Sequence, residues 1–385
     1  MITRKDLEKF RKQKIKELKK KDVELNFNYL DLIHDFPNAT YYMAYGERTG
    51  GKTYTALDFG FEQWKFEGKT IAYIRRFDEA IKQNRAQQVF APFEENGYIN
   101  FITEGEYDCT VYRCRRWYFA KRNPDTGKPE NISAEPFAYA FALSQVENDK
   151  SASYPTTDTL FFDEFLTRDY YFPNEFTLLM NLISTIVRFR TGVKILMAAN
   201  TVNQYNPYFS EMGLTHAKDL EPGGVECYNY GDSRLQVVVT HTEAPKKGKP
   251  SDYLFAFDNP RLKMVTESAW EIDIYPHYKG KVKNRDILYT FFIQFDNNTL
   301  KCDVIRIDGG GAIINIVPHT GEIKDPDTLI YSTEISPLPN HRVNVMKPFY
   351  PIEQKIATLF RMEKVFYATN QCGEVVRNYL KYCEY

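Results

Sequence analysis

One glycine-rich stretch has the residue types and the spacing of a phosphate-binding loop. It follows the pattern G-x-x-x-x-G-K-[ST], and the residues that define the match are Gly46, Gly51, Lys52 and Thr53. An apolar, strand-like run at 39–44 precedes the loop, and a helix-like run at 54–66 follows it. In this context glycines let the backbone direct successive N–H groups at phosphate oxygens, and the helix N-terminus adds its positive dipole end. The stretch therefore predicts a bound nucleoside triphosphate.

The side chains of the loop have distinct predicted roles. Lys52 is expected to reach the β- and γ-phosphates, and the Thr53 hydroxyl is expected to contact Mg²⁺. The residues expected to surround the phosphates are Gly46, Glu47, Arg48, Thr49, Gly50, Gly51, Lys52 and Thr53. The predicted ligands are ATP and Mg²⁺.

A second apolar stretch ends in two carboxylates. Residues 159–162 are mostly apolar and are followed by Asp163 and Glu164. Asp163 is expected to hold Mg²⁺, mostly through water, because this cation keeps much of its hydration shell. Glu164 is placed to polarise a water for attack on the γ-phosphate. Any buried strand can end in Asp-Glu, but after a complete phosphate loop the pair predicts hydrolysis rather than the water-excluding chemistry of a small-molecule kinase.

Two further strand ends carry polar candidates. Arg75 and Arg76 follow a buried strand predicted at 70–74, and both are expected to contact the nucleotide. Asn200 follows another predicted strand at 193–199. Ligands of open parallel sheets bind at the carboxyl ends of the strands, so Asn200 is expected to sense the γ-phosphate. The alternative is an asparagine that only ends its strand.

Two arginines lie at the end of a predicted helix. The helix is expected at 176–189, with Arg188 and Arg190 at its C-terminal end. A guanidinium stabilises the charge on a transferring phosphoryl group, which makes both residues candidates for an arginine finger. Arginines at a helix C-terminus also interact with the helix dipole, and the sequence does not choose between these roles.

Length and composition restrict the class of protein. The 385 residues suffice for two domains, and the 43% hydrophobic and 26% charged fractions are ordinary for a globular protein. The net charge of -1 requires any nucleic-acid contact to come from local basic patches. No apolar run approaches the length of about 20 residues that spans a bilayer, and no signal segment is recognisable, so we expect no membrane contact and no secretion. The six scattered cysteines favour reduced thiols in a cytosolic setting.

The order of patterns predicts two domains. Residues 1–24 are expected to form a basic, exposed helix, which either contacts phosphates or a partner, or is only a solvated face. Alternating strands and helices predict an α/β domain at 25–242. A stretch rich in Pro, Gly and Lys at 243–262 is expected to be a linker. The β-rich texture of 263–385 predicts a smaller α+β domain.

Some elements are expected in finer detail. In the first domain, 110–120 is expected to be one strand, paired with a strand at 137–143 around a basic turn. In the second domain, 269–275 is expected to be a strand and 352–367 a helix.

Together, these motifs resemble the DNA encapsidation ATPases of small tailed bacteriophages, which are relatives of the large terminase subunits. The resemblance covers roughly residues 39 to 242, and the residues that carry it are Gly46–Thr53, Arg75, Arg76, Asp163, Glu164, Arg188, Arg190 and Asn200. It implies an ASCE-type P-loop NTPase, with a RecA-like parallel sheet flanked by helices, followed by a smaller α+β domain of RNase H-like fold. It also implies ATP-driven translocation of double-stranded DNA into a procapsid.

The resemblance implies an assembly as well. Subunits are expected to form a ring, with five members expected, on the portal of the procapsid in the host cytoplasm. Whether a packaging RNA is also a partner is left open by the sequence. ATP would bind between neighbours, with Arg188 or Arg190 supplied in trans and Arg75 or Arg76 as the second option.

Terminases carry a C-terminal nuclease in which several carboxylates bind two metals. The carboxylates available in this chain are Asp286, Asp296, Asp303 and Asp308, without a clear metal-binding set. Encapsidation ATPases that package unit-length genomes need no cutting, so a vestigial domain is expected. The alternatives are a functional nuclease, a helicase-like remodelling ATPase, and a nucleotide-binding protein without turnover.

Overall fold

The computed structural model describes residues 1–20, 26–47, 51–146, 153–232, 234–243, 270, 273–307 and 309–383. The chain divides into two compact units, Met1–Trp270 and Glu271–Tyr385. Of the predicted linker at 243–262, all but Glu243 lies outside the described residues. The domain boundaries expected from the sequence stay predictions.

The first unit is built on a large sheet with helices on both sides. Its described helices are α1 (Arg4–Lys20), α2 (Tyr29–Asp35), α3 (Lys52–Glu67), α4 (Gln83–Gln87), α5 (Ala91–Glu95), α6 (Tyr98–Ile102), α7 (Glu175–Val187) and α8 (Pro207–Glu211). Its described strands are β1 (Tyr41–Gly46), β2 (Thr70–Arg75), β3 (Cys109–Arg113), β4 (Arg116–Arg122), β5 (Pro129–Glu130), β6 (Ala138–Ala142), β7 (Thr157–Asp163), β8 (Lys194–Asn200), β9 (Val225–Tyr230) and β10 (Leu235–Thr242).

The strand order of this sheet confirms the predicted fold class. The order is β3-β4-β6-β2-β7-β8-β1-β10-β9, with β5 paired to β4. The strands from β6 to β10 in this order run parallel, and β3, β4 and β9 join antiparallel at the edges. Strand β8 lies between β1, which leads into the phosphate loop, and β7, which ends at Asp163. This is the arrangement of an ASCE-type P-loop NTPase.

Alternating side chains of the central strands fill two cores, one on each face of the sheet. Tyr42 and Phe161 belong to the core that includes apolar residues of α3. Their neighbours Met43 and Phe162 belong to the core that includes apolar residues of α7. Burial on both faces explains why these strands are continuous apolar runs. The sheet is therefore held rigidly, which fixes the positions of its carboxyl ends.

Helix α1 packs against the first unit, so the expectation of a simply exposed helix is wrong for its inner face. Leu7 is fully buried, and the Phe10 ring stacks on Phe101 at 4.3 Å. Arg11 donates to both carboxylate oxygens of Asp58, at 2.8 and 2.9 Å, and to Glu62 at 2.7 Å. Both acidic residues lie on α3, so α1 is attached to the helix that follows the phosphate loop. The end of the predicted helix, 21–24, lies outside the described residues.

The second unit has a smaller mixed sheet. Its described strands are β11 (Ile287–Phe295), β12 (Asn298–Arg306), β13 (Ala312–Pro318), β14 (Ile330–Ser332), β15 (His341–Arg342) and β16 (Val365–Tyr367), and its described helices are α9 (Pro351–Arg361) and α10 (Asn370–Cys383). The order is β15-β14-β11-β12-β13-β16. Strands β11, β12 and β13 are antiparallel, whereas β14 is parallel to β11 and β15 to β14. An antiparallel meander extended by parallel strands beside its first member fits the expected RNase H-like fold.

Three local expectations need correction. The single strand expected at 110–120 is a hairpin, because Cys114 and Arg115 adopt φ values of 48° and 59° and reverse the chain. The helix expected at 352–367 ends at Arg361, and the aromatic and β-branched residues of β16 join the sheet instead. The strand expected at 269–275 does not form in its described residues, which are 270 and 273–275, and its other residues lie outside the description.

All six cysteines are free thiols, as expected. Among the described residues, no helix is both long enough and apolar enough to cross a membrane.

Candidate nucleotide-binding and catalytic site

The phosphate loop begins where β1 ends and finishes at the start of α3. A Cβ atom at Gly46 would lie 2.1 Å from Oγ1 of Thr242 on the adjacent strand, so only glycine fits there. Gly51, which precedes the first residue of α3, has a φ of 89°, a left-handed conformation that favours glycine. The loop residues outside the described residues are Arg48, Thr49 and Gly50. The two described glycines thus have the close approach and the turn that the motif requires.

Lys52 is a buried ammonium group at the start of α3. Its exposed fraction is 7%, and Nζ donates to the carbonyl oxygens of Gly46 at 3.3 Å and Glu47 at 2.5 Å. Burial lowers the pKa of Lys52 to about 8, although the carboxylates of Asp163 and Glu47 act in the opposite direction. A buried cation whose hydrogen bonds go to neutral carbonyls gains strongly from an anionic ligand, as a phosphate would be.

Asp163 accepts hydrogen bonds from two hydroxyl groups. Its Oδ1 lies 3.1 Å from Thr53 Oγ1, and its Oδ2 lies 2.9 Å from the Tyr73 hydroxyl. Burial raises the pKa of Asp163, while Arg75 and the Tyr73 hydrogen bond oppose this shift. The Thr53 hydroxyl and the Asp163 carboxylate are hard oxygen donors on facing elements, which is the donor set that Mg²⁺ prefers. The structure therefore brings together the two residues predicted to hold the metal.

Glu164 is paired with Arg75. The residue has a φ of 59° and its side chain is 59% exposed, in contrast to the buried Asp163. Nη2 of Arg75 donates to the Glu164 carboxylate, and Nη1 lies 3.2 Å from the Tyr73 hydroxyl and 3.4 Å from Asp163 Oδ2. Arg75 thus bridges both carboxylates at the carboxyl edge of the sheet. Its predicted contact with the nucleotide stays a prediction.

Arg76 has a different environment from its neighbour. It is 5% exposed, and its Nε lies 3.0 and 2.9 Å from the two carboxylate oxygens of Glu175. Its Nη1 and Nη2 donate to the backbone carbonyls of Glu164, at 3.2 Å, and Phe165, at 2.6 Å. The Tyr208 hydroxyl also donates to Glu175. These contacts hold the backbone around Glu164 and favour a positioning role, while the predicted nucleotide contact of Arg76 stays untested.

Tyr73, Glu175 and Tyr208 are site residues that sequence reasoning missed. Tyr73 lies two residues before Arg75 on β2, so that both side chains point to one face of the strand. The register of β2 against β7 pairs Tyr73 with Phe161, which brings its hydroxyl toward the end of β7. The sequence signal that could have identified Tyr73 is the pair of polar groups, Tyr73 and Arg75, at alternate positions near the end of a strand. Glu175 lies 99 residues from Arg76, and no local pattern connects them.

Asn200 lies at the same edge as the phosphate loop. In the register of β1 and β8 it pairs with Gly46, and on the other side of β8 Asp163 pairs with Ala198. Asn200 is therefore between the start of the loop and the carboxylate pair, where a γ-phosphate sensor is expected. The sensing role itself stays a prediction.

Arg188 and Arg190 lie at the other end of the central strands, where those strands begin. Arg190 donates to Asp158 at 2.7 Å and to the carbonyl of Thr157 at 2.6 Å. Thr157 begins β7 and Asp163 ends it, a separation of about 20 Å for a strand of this length. Arg188 is exposed, next to a fully exposed Phe189. The structure thus does not bring these arginines to the phosphate loop of their own chain, and their action in trans stays a prediction.

The candidate carboxylates of the second unit that the structure describes do not converge. Asp286 immediately precedes β11 and Asp296 immediately follows it, which separates them by roughly 30 Å. Asp303 is 4% exposed and accepts hydrogen bonds from Thr290 at 2.7 Å and Lys301 at 2.8 Å. Asp308 lies outside the described residues. Within the part of the chain that the structure describes, no group of three or more His, Cys, Asp or Glu residues could hold a metal ion.

The fold and the carboxyl-edge site define the first unit as a P-loop NTPase domain. The chain is also similar to phage DNA-packaging proteins, which confirms the resemblance seen in the sequence. A family model described as Podovirus DNA encapsidation protein (Gp16) matches residues 126–219. The DNA packaging protein of Bacillus phage B103 is 28% identical over 172 residues, covering 44% of this chain and 46% of that protein. The DNA packaging protein of Bacillus phage phi29 is 27% identical over 168 residues, 43% of each chain.

These alignments span less than half the length of the curated relatives. One solved structure, described as the Phi-28 gp11 DNA packaging motor, covers 93% of this chain and 97% of its own. It is 19% identical, with a TM-score of 0.50. At this identity the likeness concerns the fold.

Proposed function

We propose that this chain is an ATP-hydrolysing motor that moves double-stranded DNA into a phage procapsid. The observation that carries the hydrolytic part is the convergence of Thr53, Asp163 and Glu164 at the carboxyl end of a parallel sheet, beside the phosphate loop. The similarity to phage DNA-packaging proteins supports the choice of DNA as the substrate that is moved.

Different residues of the site bind the phosphates and the metal ion. Lys52 and the N–H groups at the start of α3 bind the β- and γ-phosphates of ATP, with the helix dipole adding to the attraction. The Thr53 hydroxyl and Asp163 hold Mg²⁺, directly or through water. When bound, Mg²⁺ neutralises the charge that develops on the phosphate oxygens. Asp163 can serve as a metal ligand despite its burial, because two hydroxyls and Arg75 stabilise its ionised form.

Glu164 is the general base that orients and deprotonates the attacking water. Its ion pair with Arg75 engages Oε2, one of the two carboxylate oxygens that could accept a hydrogen bond from the water. Opening of the Arg75–Glu164 pair frees this oxygen for the water as well, which gives the chain a means of controlling hydrolysis after ATP has bound. Arg76 holds the backbone of Glu164 in place while the side chain changes its partner.

The remaining parts of the proposal concern assembly. The chain acts in the host cytoplasm, bound transiently to the portal of the procapsid, as a ring of subunits with five members expected. Arg188 or Arg190 of one subunit completes the site of its neighbour, because neither reaches the phosphate loop of its own chain. A packaging RNA as an additional partner is left open.

The rate of ATP hydrolysis with and without duplex DNA, measured together with the oligomer mass, tests the proposal. We expect DNA to raise the rate in a salt-dependent manner and the active species to be a ring. Glu164→Gln should bind ATP with wild-type affinity and lose at least about a hundredfold in turnover, since a positioned base contributes roughly 10²–10⁴-fold. Glu95→Gln, which alters an exposed carboxylate on α5, is the matched control and should hydrolyse ATP like the wild type.

Two results would contradict the proposal in different ways. If Glu164→Gln hydrolyses ATP as fast as the wild type, the assigned mechanism is wrong. If the purified protein separates the strands of a duplex, a helicase-like function is favoured over packaging.

A further inference from the structure

The outer face of α1 carries a charge pattern that the nucleotide site does not use. Its inner face is buried at Leu7 and packed through Phe10, as described above. Five lysines lie on the solvent-exposed side of the helix, and they are Lys5, Lys9, Lys12, Lys16 and Lys20. With 100° per residue, these positions fall within an arc of about 80° that faces away from Leu7. We call this set the lysine stripe.

The basic residues of α1 separate into two groups with different partners. In the described part of the chain, the ion pairs of α1 involve Arg4, Arg11 and Lys14 and none of the lysine stripe. Arg11 is largely buried against Asp58, and Arg4 pairs with Glu67 at 2.5 Å. The arginines that attach the helix thus make forked contacts with carboxylates, a geometry that lysine cannot reproduce. The stripe consists of lysine alone, whose compact, hydrated charge suits exchangeable contacts with phosphates.

The dimensions of the lysine stripe match a nucleic-acid backbone. From Lys5 to Lys20 the helix rises about 23 Å, so the charges are spaced at about 5–6 Å along a line. This length exceeds the width of about 12 Å of the DNA major groove, so that the two ends reach phosphates on both strands beside the groove. Three acidic residues border the stripe: Glu8 lies between Lys5 and Lys12, and Asp6 and Glu17 lie three residues before Lys9 and Lys20. Since the whole chain has a net charge of -1, a local array of this kind is needed to attract DNA.

We infer that the lysine stripe is a docking surface for the phosphate backbone of duplex DNA. The inference rests on the proposed function, because that function supplies duplex DNA as the partner. The contacts are independent of base sequence, as required of a protein that moves along DNA of any sequence. Arg11 fixes α1 to Asp58 and Glu62 of α3, so that DNA held by the stripe is linked through one ion-pair cluster to the helix that starts at Lys52.

A salt titration of DNA binding tests the inference. In one variant all five stripe lysines become Gln, which removes the charge and preserves helix propensity. In the matched control the same five lysines become Arg, which preserves the charge. In the Gln variant we expect the negative slope of log K against log salt concentration to become shallower by about 0.9 for each phosphate that is no longer neutralised, up to about 4.5 in total. In the Arg variant the slope should stay at the wild-type value. Thermal unfolding and the ATPase rate without DNA should be unchanged in both, since Arg4, Arg11 and Lys14 are retained.

Each outcome has one reading. If the Gln variant binds duplex DNA with the wild-type slope, the lysine stripe is only a solvated face and the inference is overturned. If its slope changes only when duplex RNA or an acidic protein replaces DNA, the stripe serves another partner and the inference is also overturned. If the wild-type chain itself binds no duplex DNA, the proposed function fails together with the stripe, which distinguishes that case from the first.

Discussion

The two sheets of the molecule carry acidic residues in opposite arrangements. In the first sheet the parallel strands β7 and β2 end side by side, so that Asp163, Glu164 and Arg75 meet at one edge. In the second sheet β11 and β12 are antiparallel, and Asp286 and Asp296 lie at opposite ends of β11. Parallel strands gather their ends at one edge, whereas a hairpin sends successive ends to opposite edges. In this chain, strand direction distinguishes the sheet whose charged residues converge from the sheet whose carboxylates are scattered.

The largest expected effect tests whether the other edge of the first sheet completes the site of a neighbouring subunit. Arg188→Ala should lower kcat by about 10³-fold, the lower end of the contribution of an arginine finger. Mixing this variant with Glu164→Gln subunits should restore part of the activity, because a mixed interface then contains one intact Glu164 and one intact Arg188. The ATPase rate across mixing ratios measures this effect.

The neighbouring arginine serves as the control. Arg190→Ala should mainly lower stability, since Arg190 pairs with Asp158 and the Thr157 carbonyl within its own chain. If mixtures containing the Arg188 variant stay inactive at every ratio, Arg188 does not act in trans.

The next effect tests whether catalysis at the carboxyl ends of the strands requires Arg76 to hold the backbone of Glu164 and Phe165. Arg76→Met should lower kcat by about 10–100-fold with little change in KM, because small displacements of Glu164 have costs of that size. It should also lower the free energy of unfolding by about 3–5 kcal/mol, because Glu175 is left buried without its partner. Measurements of kcat, KM and thermal unfolding separate the two effects.

A double variant decides between positioning and simple stabilisation. Arg76→Met with Glu175→Gln removes the unpaired charge and should regain part of the stability, while kcat stays low because the carbonyls of Glu164 and Phe165 remain unheld. Recovery of kcat together with stability would show that Arg76 only stabilises the fold.

A third, smaller effect follows from the buried ammonium of Lys52. Burial lowers the pKa of Lys52 to about 8, so the side chain is charged below that pH and loses its proton above it. Phosphate binding requires the charged form, so ATP affinity should be constant below about pH 8 and fall up to tenfold per pH unit above it. The affinity can be measured from about pH 7 to 9.5 in the Glu164→Gln background, which prevents hydrolysis.

Lys52→Arg is the control for this pH dependence. Arginine keeps its charge throughout the range, so its affinity, whatever its absolute value, should not fall above about pH 8. An equal decline in both proteins would assign the titration to another group.

The sequence reveals those parts of the site that depend on local pattern. Gly46 and Gly51 are defined by a short motif, and the close approach of Thr242 and the left-handed φ explain why glycine is required. Asp163 follows a continuous apolar run, which predicts a buried strand and places the carboxylate at its end. In both cases the sequence signal is local, although the contact that requires glycine at position 46 comes from Thr242 on a neighbouring strand.

The parts that the sequence does not reveal depend on register and distant pairing. Tyr73 reaches Asp163 only because β2 and β7 are aligned as they are, and a shift of one residue would turn it to the other face. Arg11 resembles the exposed basic residues of its helix until its pairing with Asp58 is known. The turn at Cys114 and Arg115 lacks the glycine or asparagine that would signal it.

The smallest expected effect concerns the second sheet and tests the other half of the comparison. Asp303 is buried and satisfied by Thr290 and Lys301, as expected of a residue that stabilises a hairpin rather than one that binds metal. Asp303→Asn should leave the ATPase rate unchanged and lower the free energy of unfolding by about 1–2 kcal/mol, because the amide retains one acceptor oxygen but no longer makes the charge-assisted bond to Lys301. Mg²⁺ or Mn²⁺ should not reverse that decrease. A metal-dependent cleavage of DNA by the wild type that disappears in Asp303→Asn would show that scattered strand ends can still assemble a nuclease site, and the role assigned here to strand direction would have to be abandoned for the second sheet.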